Sequence, residues 1–369
     1  MTQAATDVQE RVASGHYQRR HGRRVLLLSA LALALLVSLA LDITTGPSGM
    51  SLSRLLQVLW DPGSMPRVEA VIVWNVRLPY ALMAVLVGAA LALAGAEMQT
   101  VLDNPLASPF TLGVSAAAAF GAALAIVLGL GLPGVPAQYL ISANAFLFAL
   151  ASVALLYLLA RWRGFGVESL VLFGIALVFA FNALVALLQF VATQDSLQQL
   201  VFWTLGSLAR ASWEKLGVLA VALLLCLPFS LRQSWALTAL TLGEERARSF
   251  GIDVGRLRLL ALLRISLLSA LAVSFVGTIG FIGLIAPHIA RLLVGEDHRL
   301  FLPASVLSGG LILSMASIAS KALIPGVLVP VIDGIASVMA VSPRMHKLGN
   351  TISTPSRPQP TASHIPAPI

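Results

Sequence analysis

The side chains able to move protons or hold a metal are few in this chain and widely spaced. Its 369 residues include 16 acidic residues, six histidines and one cysteine. Glu97, Asp103 and Asp333 stand in or beside apolar runs, while His288 and Arg291 sit at the end of another with His298 just beyond. An ion-coupled carrier requires a buried relay of carboxylates or histidines, and a membrane-embedded enzyme a nucleophile with its base, or paired carboxylates, at one depth. Neither pattern is legible here. His288 reads as a structural hydrogen-bonding residue rather than a metal ligand, and Cys226, alone inside an apolar run, as packing. Asn144, Asn182, Gln99 and Gln189 suit either a cavity wall or helix–helix hydrogen bonds. No catalytic residue, metal or cofactor is expected. The phosphate loop Gly-x-x-x-x-Gly-Lys-Ser/Thr does not occur, so nucleotide is not hydrolysed by that route.

One stretch gathers charge in a different way. In TLGEERARSFGIDVGRLR, residues 241–258, Gly243 and Gly251 bracket EERARSF, a charged segment with helical spacing. Glu244, Glu245, Arg246 and Arg248 keep it out of hydrocarbon, while Phe250, Ile252 and Leu257 offer apolar contacts. Such a segment can insert into a groove on a soluble partner, and its residues alone are equally compatible with a solvated loop.

The elements that position these residues are membrane spans. A composition of 58% hydrophobic and 11% charged residues lies far from soluble usage. Apolar runs near the ~20 residues needed to cross hydrocarbon recur along the chain, giving one polytopic all-α domain. The spans fall at about 24–44, 79–100, 109–131, 137–160, 168–192, 214–231, 259–279, 281–294 and 301–321. A tenth, at about 327–342, is short and carries Asp333. Residues 24–342 therefore form the transmembrane domain, preceded by a basic segment, 1–23, and interrupted by the charged loop at about 232–258. Arg24 to Thr44 is too long for a signal-peptide core and is kept as the first span. Between the first two spans, SLSRLLQVLW predicts a short interfacial helix, with Trp60 and Trp74 at headgroup depth.

The net charge of +8 fits retention of Lys and Arg in cytoplasmic loops better than nucleic-acid binding. With the N-terminus inside, fifteen cations, Arg246 and Arg291 among them, fall on the cytoplasmic side. Six fall outside: Arg54, Arg67, Arg77, Arg210, Lys215 and Lys321. Small residues such as Gly88, Gly95, Gly113 and Gly121 let helices approach closely in lipid, and Asn104-Pro105-Leu106-Ala107 breaks the helical pattern after the second span.

Three motifs carry a resemblance. They are Asn104-Pro105 with its flanks, Trp203-Thr204-Leu205-Gly206-Ser207-Leu208, and the run from Leu242-Gly243-Glu244 through Gly277, Gly280 and Gly283 to Pro287-His288-Ile289-Ala290-Arg291. Together they resemble the iron-siderophore, haem and cobalamin permeases of ATP-binding-cassette importers, over roughly residues 24–330. The resemblance implies the type II importer permease fold in a bacterial inner membrane, and uptake of a chelate, foremost an Fe(III)-siderophore, with cobalamin and haem open. It implies ATPase subunits on the cytoplasmic side, a periplasmic substrate-binding protein, and a second permease copy or paralogue. Leu242, Gly243, Glu244, Ala247, Arg248 and Gly251 would then couple to the ATPase. Arg77 and Lys321 match family cations that dock the binding protein, whereas Tyr80 replaces a second arginine and Ser317 a family aspartate. An ion-coupled secondary carrier is the alternative from another class.

After Pro330 the resemblance stops: the family's glycine-rich final helix is absent, and residues 343–369 are rich in Pro, Ser and Thr, as in disordered tails. A reading-frame change and natural divergence both account for this ending.

Overall fold

The computed structural model describes residues 2–46, 50–61, 66–129, 134–163 and 167–323. Every regular element among them is helical. In chain order these are α1 (Thr2–Thr44), α2 (Leu52–Trp60), α3 (Arg67–Ile72), α4 (Leu78–Val101), α5 (Val114–Leu128), α6 (Ala137–Arg163), α7 (Val167–Val191) and α8 (Gln194–Thr204). They continue with α9 (Trp213–Arg232), α10 (Ser234–Leu240), α11 (Glu244–Ser249), α12 (Val254–Val276), α13 (Ile282–Val294) and α14 (His298–Leu323). A π-helical turn, Val73–Arg77, joins α3 to α4, and a 3₁₀ turn, Leu208–Arg210, follows α8.

Seven helices are long and apolar enough to cross a bilayer, and α5 and α13 are shorter apolar helices. Nine of the ten expected spans therefore have a helical counterpart; α5 is shorter than its expected 109–131, and α13 matches the short run at 281–294. At about 1.5 Å per residue α13 extends only ~20 Å, less than a hydrocarbon core. Its missing half is the irregular segment between α12 and α13. Non-helical backbone at that depth requires internal partners. The Gly277 amide donates to Val273 O at 2.8 Å, and Gly280 O and Phe281 O accept from Ile282 at 2.9 Å and Ile285 at 2.8 Å; across the joint the Ser207 amide donates to Val276 O at 2.7 Å and the Thr278 hydroxyl to Thr204 O. The Trp203–Leu208 motif and the Gly277–Gly283 run are thus two sides of one backbone joint. The tenth span, Asp333 and the tail at 343–369 lie outside the described residues.

α4 is the axis of the bundle. Of its 24 residues, all but Leu82, Val85 and Leu86 are buried, which a helix of alanines, glycines and apolar residues permits. Two glycine pairs set its neighbours. A Cβ on Gly95 would overlap the Gly283 carbonyl, and one on Gly88 the Gly309 carbonyl, so α13 and α14 pack backbone to backbone against α4. Outer helices have the opposite character: α1 and α7 bury 17% and 11% of their most apolar windows, leaving Leu26, Leu172 and Phe179 exposed. In a bilayer that surface faces lipid or another subunit.

α2 bears out the expected short amphipathic helix. Ser51 caps its N-terminus through the Arg54 amide at 3.4 Å, Leu55 and Val58 are buried beside Ile43, Val73 and Ala81, and Trp60 is 92% exposed. α8, α10 and the helical turns before α4 are elements that the span pattern did not mark, because each is far shorter than a span.

Candidate functional site

The 232–258 loop folds into α10, a turn, α11 and the start of α12. Ser234 to Leu240 forms two turns; Leu242 and Gly243 then donate to Ala239 O and Leu240 O, both at 3.1 Å, which ends the helix. Gly243 adopts φ +106° and ψ 150°, a conformation open to glycine, and so lets α11 start in a new direction. Ala247 is fully buried and anchors α11, while the Gly251 amide closes the far end on Arg248 O at 2.9 Å. Asp253 caps α12 through the Arg256 amide at 2.9 Å.

Charge and apolar surface are separated on this unit. Glu244, at the N-terminus of α11, accepts from Arg248 at 2.6 Å and pairs with Arg258 of α12 at 2.9 Å. Leu242, Phe250 and Trp235 are each 54% exposed, and the Trp235 and Phe250 rings lie 6.2 Å apart. The coupling residues expected from sequence are thereby brought together: Leu242 on the surface, Ala247 beneath it, Glu244 and Arg248 along one flank, and the two glycines at the bends. A half-exposed aromatic pair flanked by paired charges is a surface shaped for a protein partner.

Asn104-Pro105 and Arg291, from the two motifs at either end of the resemblance, meet at a cavity of about 160 Å³ that is also lined by Thr100, Thr241, Glu296 and His298. The Asn104 side chain accepts from the Leu106 amide at 2.9 Å, an Asx turn that, with Pro105, ends the passage out of α4. Arg291 donates to Gln99 Oε1 at 3.3 Å, lies 3.6 Å from Glu296, and sits 5.2 Å from the Phe301 ring centre. Pro287 is buried within α13, whereas His288 is exposed. The buried, hydrogen-bonded histidine expected at 288 is instead His298, 1% exposed and held between Thr100 and Thr238. Its position at the N-terminus of α14, packed on α10 and α4, decides this; His288 falls on the outward face of α13.

At the opposite end of the bundle the expected docking cations prove to be internal. Lys321 Nζ donates to Asp42 Oδ1 at 2.7 Å and to Asp42 O at 2.9 Å; the two side chains are 6% and 0% exposed. Ser317 donates to both carboxylate oxygens at 2.8 Å, and Lys321 lies 4.4 Å from the Tyr80 ring centre. Arg77, 6% exposed, donates to Ile43 O at 3.1 Å and Thr44 O at 3.3 Å. These are carbonyls of the last turn of α1, which has no intrahelical donors left. The two cations therefore cap α1, favourably placed at the negative end of its dipole. Tyr80 and Ser317, the two departures from the family pattern, belong to the same cluster.

A second buried pair was not legible from the spans. Arg264 of α12 donates to both oxygens of Glu97 on α4, at 3.0 and 3.1 Å, with 11% and 1% of the two side chains exposed. Arg264 counts as a flanking cation by charge distribution; its signal is that it lies ten residues inside α12.

The model of the FecCD transport family matches residues 33–343. The chain belongs to that family. It is 36% identical over 288 residues to the molybdate import system permease protein MolB of Haemophilus influenzae, covering 77% of this chain and 84% of MolB. It is also 36% identical over 307 residues to the hemin transport system permease protein HmuU of Yersinia pestis, covering 83% and 90%. A solved structure, an inward-facing conformation of a transporter described as of the metal-chelate ABC type, superposes with a TM-score of 0.76 at 32% identity over 88% of this chain and 99% of that one. As a FecCD permease, the chain is a multi-pass membrane subunit of an ABC importer. The family match also runs past Pro330 to residue 343, so similarity extends through the tenth apolar stretch and the departure from the family begins later than the motifs indicated.

Proposed function

We propose that this FecCD permease carries an Fe(III)-siderophore from a periplasmic binding protein through a bacterial inner membrane to the cytoplasm, driven by ATPase subunits that bind α10 and α11. The observation that carries the reading is the exposed Leu242–Trp235–Phe250 surface with its Glu244–Arg248–Arg258 flank, on a chain without a phosphate loop of its own. Hydrolysis then belongs to the partner, and the permease supplies the pathway. Lipid- or subunit-facing apolar helices such as α7 support pairing with a second permease copy or a paralogue around that pathway. The metal-chelate type of the solved relative and the hemin transport of HmuU support a chelate as cargo. Haem and cobalamin are the neighbouring alternatives, and an ion-coupled carrier the alternative in kind.

Reconstitution with a partner ATPase and a substrate-binding protein tests the proposal. Uptake of ⁵⁵Fe-siderophore into proteoliposomes should require ATP and persist with a protonophore. Substituting Phe250→Asp should abolish ATPase binding, because it places a carboxylate in the apolar contact. ATP-independent uptake that collapses with the protonophore would establish the carrier reading instead.

A further inference from the structure

Two polar links run from the α10–α11 unit into the bundle, and they end on consecutive residues of one helix. The first passes through His298. Thr238 of α10 lies 3.1 Å from His298 Nδ1 and accepts from the His298 amide at 3.1 Å. On the other side of the ring, Nε2 lies 2.7 Å from the Thr100 hydroxyl. Each threonine hydroxyl also reaches a carbonyl of its own helix, Thr100 donating to Ala96 O at 2.9 Å and Thr238 to Ser234 O at 2.8 Å, so a neutral His298 ring donates to one threonine and accepts from the other only when that second hydroxyl turns its hydrogen from its carbonyl to the ring. The second link passes through Arg258, which pairs with Glu244 of α11 at 2.9 Å and donates through Nε to Val101 O at 3.3 Å. Thr100 and Val101 are the last two residues of α4.

We infer that these are paired struts, Thr238–His298–Thr100 and Glu244–Arg258–Val101, which deliver displacement of the partner-facing unit to the end of α4. The inference rests on the importer reading and names the positioning residues within it. Mechanically the placement is favourable. Threonine and histidine have few rotamers, so a link through them tilts little before it pulls. α4 is the buried axis and meets α13 and α14 backbone to backbone at Gly95 and Gly88, so force on its last turn moves all three helices together. Asn104 and Pro105 follow directly, and the turn they form moves with α4. The Thr238–His298–Thr100 strut lies clear of the exposed Leu242–Phe250 surface, so transmission through it is separable from partner binding, whereas Glu244 and Arg258 also form the flank of that surface.

The test reads the end of α4 without needing the cargo. Leu106 is 70% exposed just beyond α4, and Cys226, the one cysteine, is buried, so aqueous maleimide reports on a Leu106→Cys variant at that position. In proteoliposomes with the partner ATPase, ATP with vanadate should change the labelling rate at least threefold. Thr238→Val, which lies off the partner surface, should roughly halve that change while the ATPase remains bound; Arg258→Gln should do the same, and the two together should abolish it, when read at saturating ATPase because Arg258 also belongs to the flank of that surface. Thr238→Ser with Arg258→Lys should retain it. If the double variant does not fold, the two single substitutions decide. An unchanged nucleotide response in the double variant, or in both singles, overturns the inference, as does a parent protein that binds the ATPase but shows no response. Failure of the parent protein to bind the ATPase overturns the importer reading itself.

Discussion

Replacing Lys321 by methionine separates a capping cation from a docking cation. The substitution keeps most of the side-chain volume but leaves the Asp42 carboxylate, 0% exposed, facing the Ser317 hydroxyl without its cation, and frees Asp42 O as well. Removing one partner of a buried ion pair costs about 3–5 kcal/mol, because the remaining charge is desolvated and uncompensated. Unfolding entropy of about 2 cal/mol/K per residue, over 369 residues, converts that to a fall in Tm of roughly 4–6 °C. Adding Asp42→Asn removes the stranded charge, so the double variant should recover at least half of the loss. Thermal unfolding of the detergent-purified protein, followed by near-ultraviolet circular dichroism, measures all three variants. A Lys321→Met protein with Tm within about 1 °C of the parent, and with weakened affinity for the binding protein, would show that Lys321 is a rim cation after all. Equal losses in the single and double variants would refute the buried pair.

Two further outcomes follow from packing and charge inside the bundle. Gly95→Ala should destabilise by about 1–3 kcal/mol, since the new methyl meets the Gly283 carbonyl and α4 and α13 must separate; loss of expressed, monodisperse protein measures it. Glu97→Leu should cost more than Glu97→Leu combined with Arg264→Leu, by about 2 kcal/mol or more, because the single change strands a guanidinium between α4 and α12. A double-mutant cycle in thermal stability reads that difference, and additive losses would contradict a coupled pair.

Much of the helix pattern is written locally. The apolar runs correspond to α1, α4, α6, α7, α9, α12 and α14 because hydrocarbon demands length and composition from each span separately. Gly243, Ser51 and Asp253 mark helix ends by their own backbone or capping chemistry, again within a few residues. The shortness of α13 is already visible in the apolar run at 281–294, whereas the joint that Val276 and Thr278 make with Ser207 and Thr204 is not, since those residues lie about 70 positions apart.

For the candidate site, residue types identified the charged unit at 241–258, and its local spacing gave Glu244, Ala247 and Arg248 their places on α11. What side chains face across the bundle was decided only by tertiary structure. Lys321 has the charge and chain position of a rim cation, yet Asp42, 279 residues earlier, draws it inward. Glu97 and Arg264 each look like a stray charge until the crossing of α4 and α12 makes them one pair. His298, rather than His288, becomes the bonded histidine because α10 and α4 present a threonine to each ring nitrogen. Hydropathy acts over one helix, and so the sequence by itself determined the spans and the charged arm, though not where each helix ends. Pairing energies depend on distances between helices, which the fold alone sets.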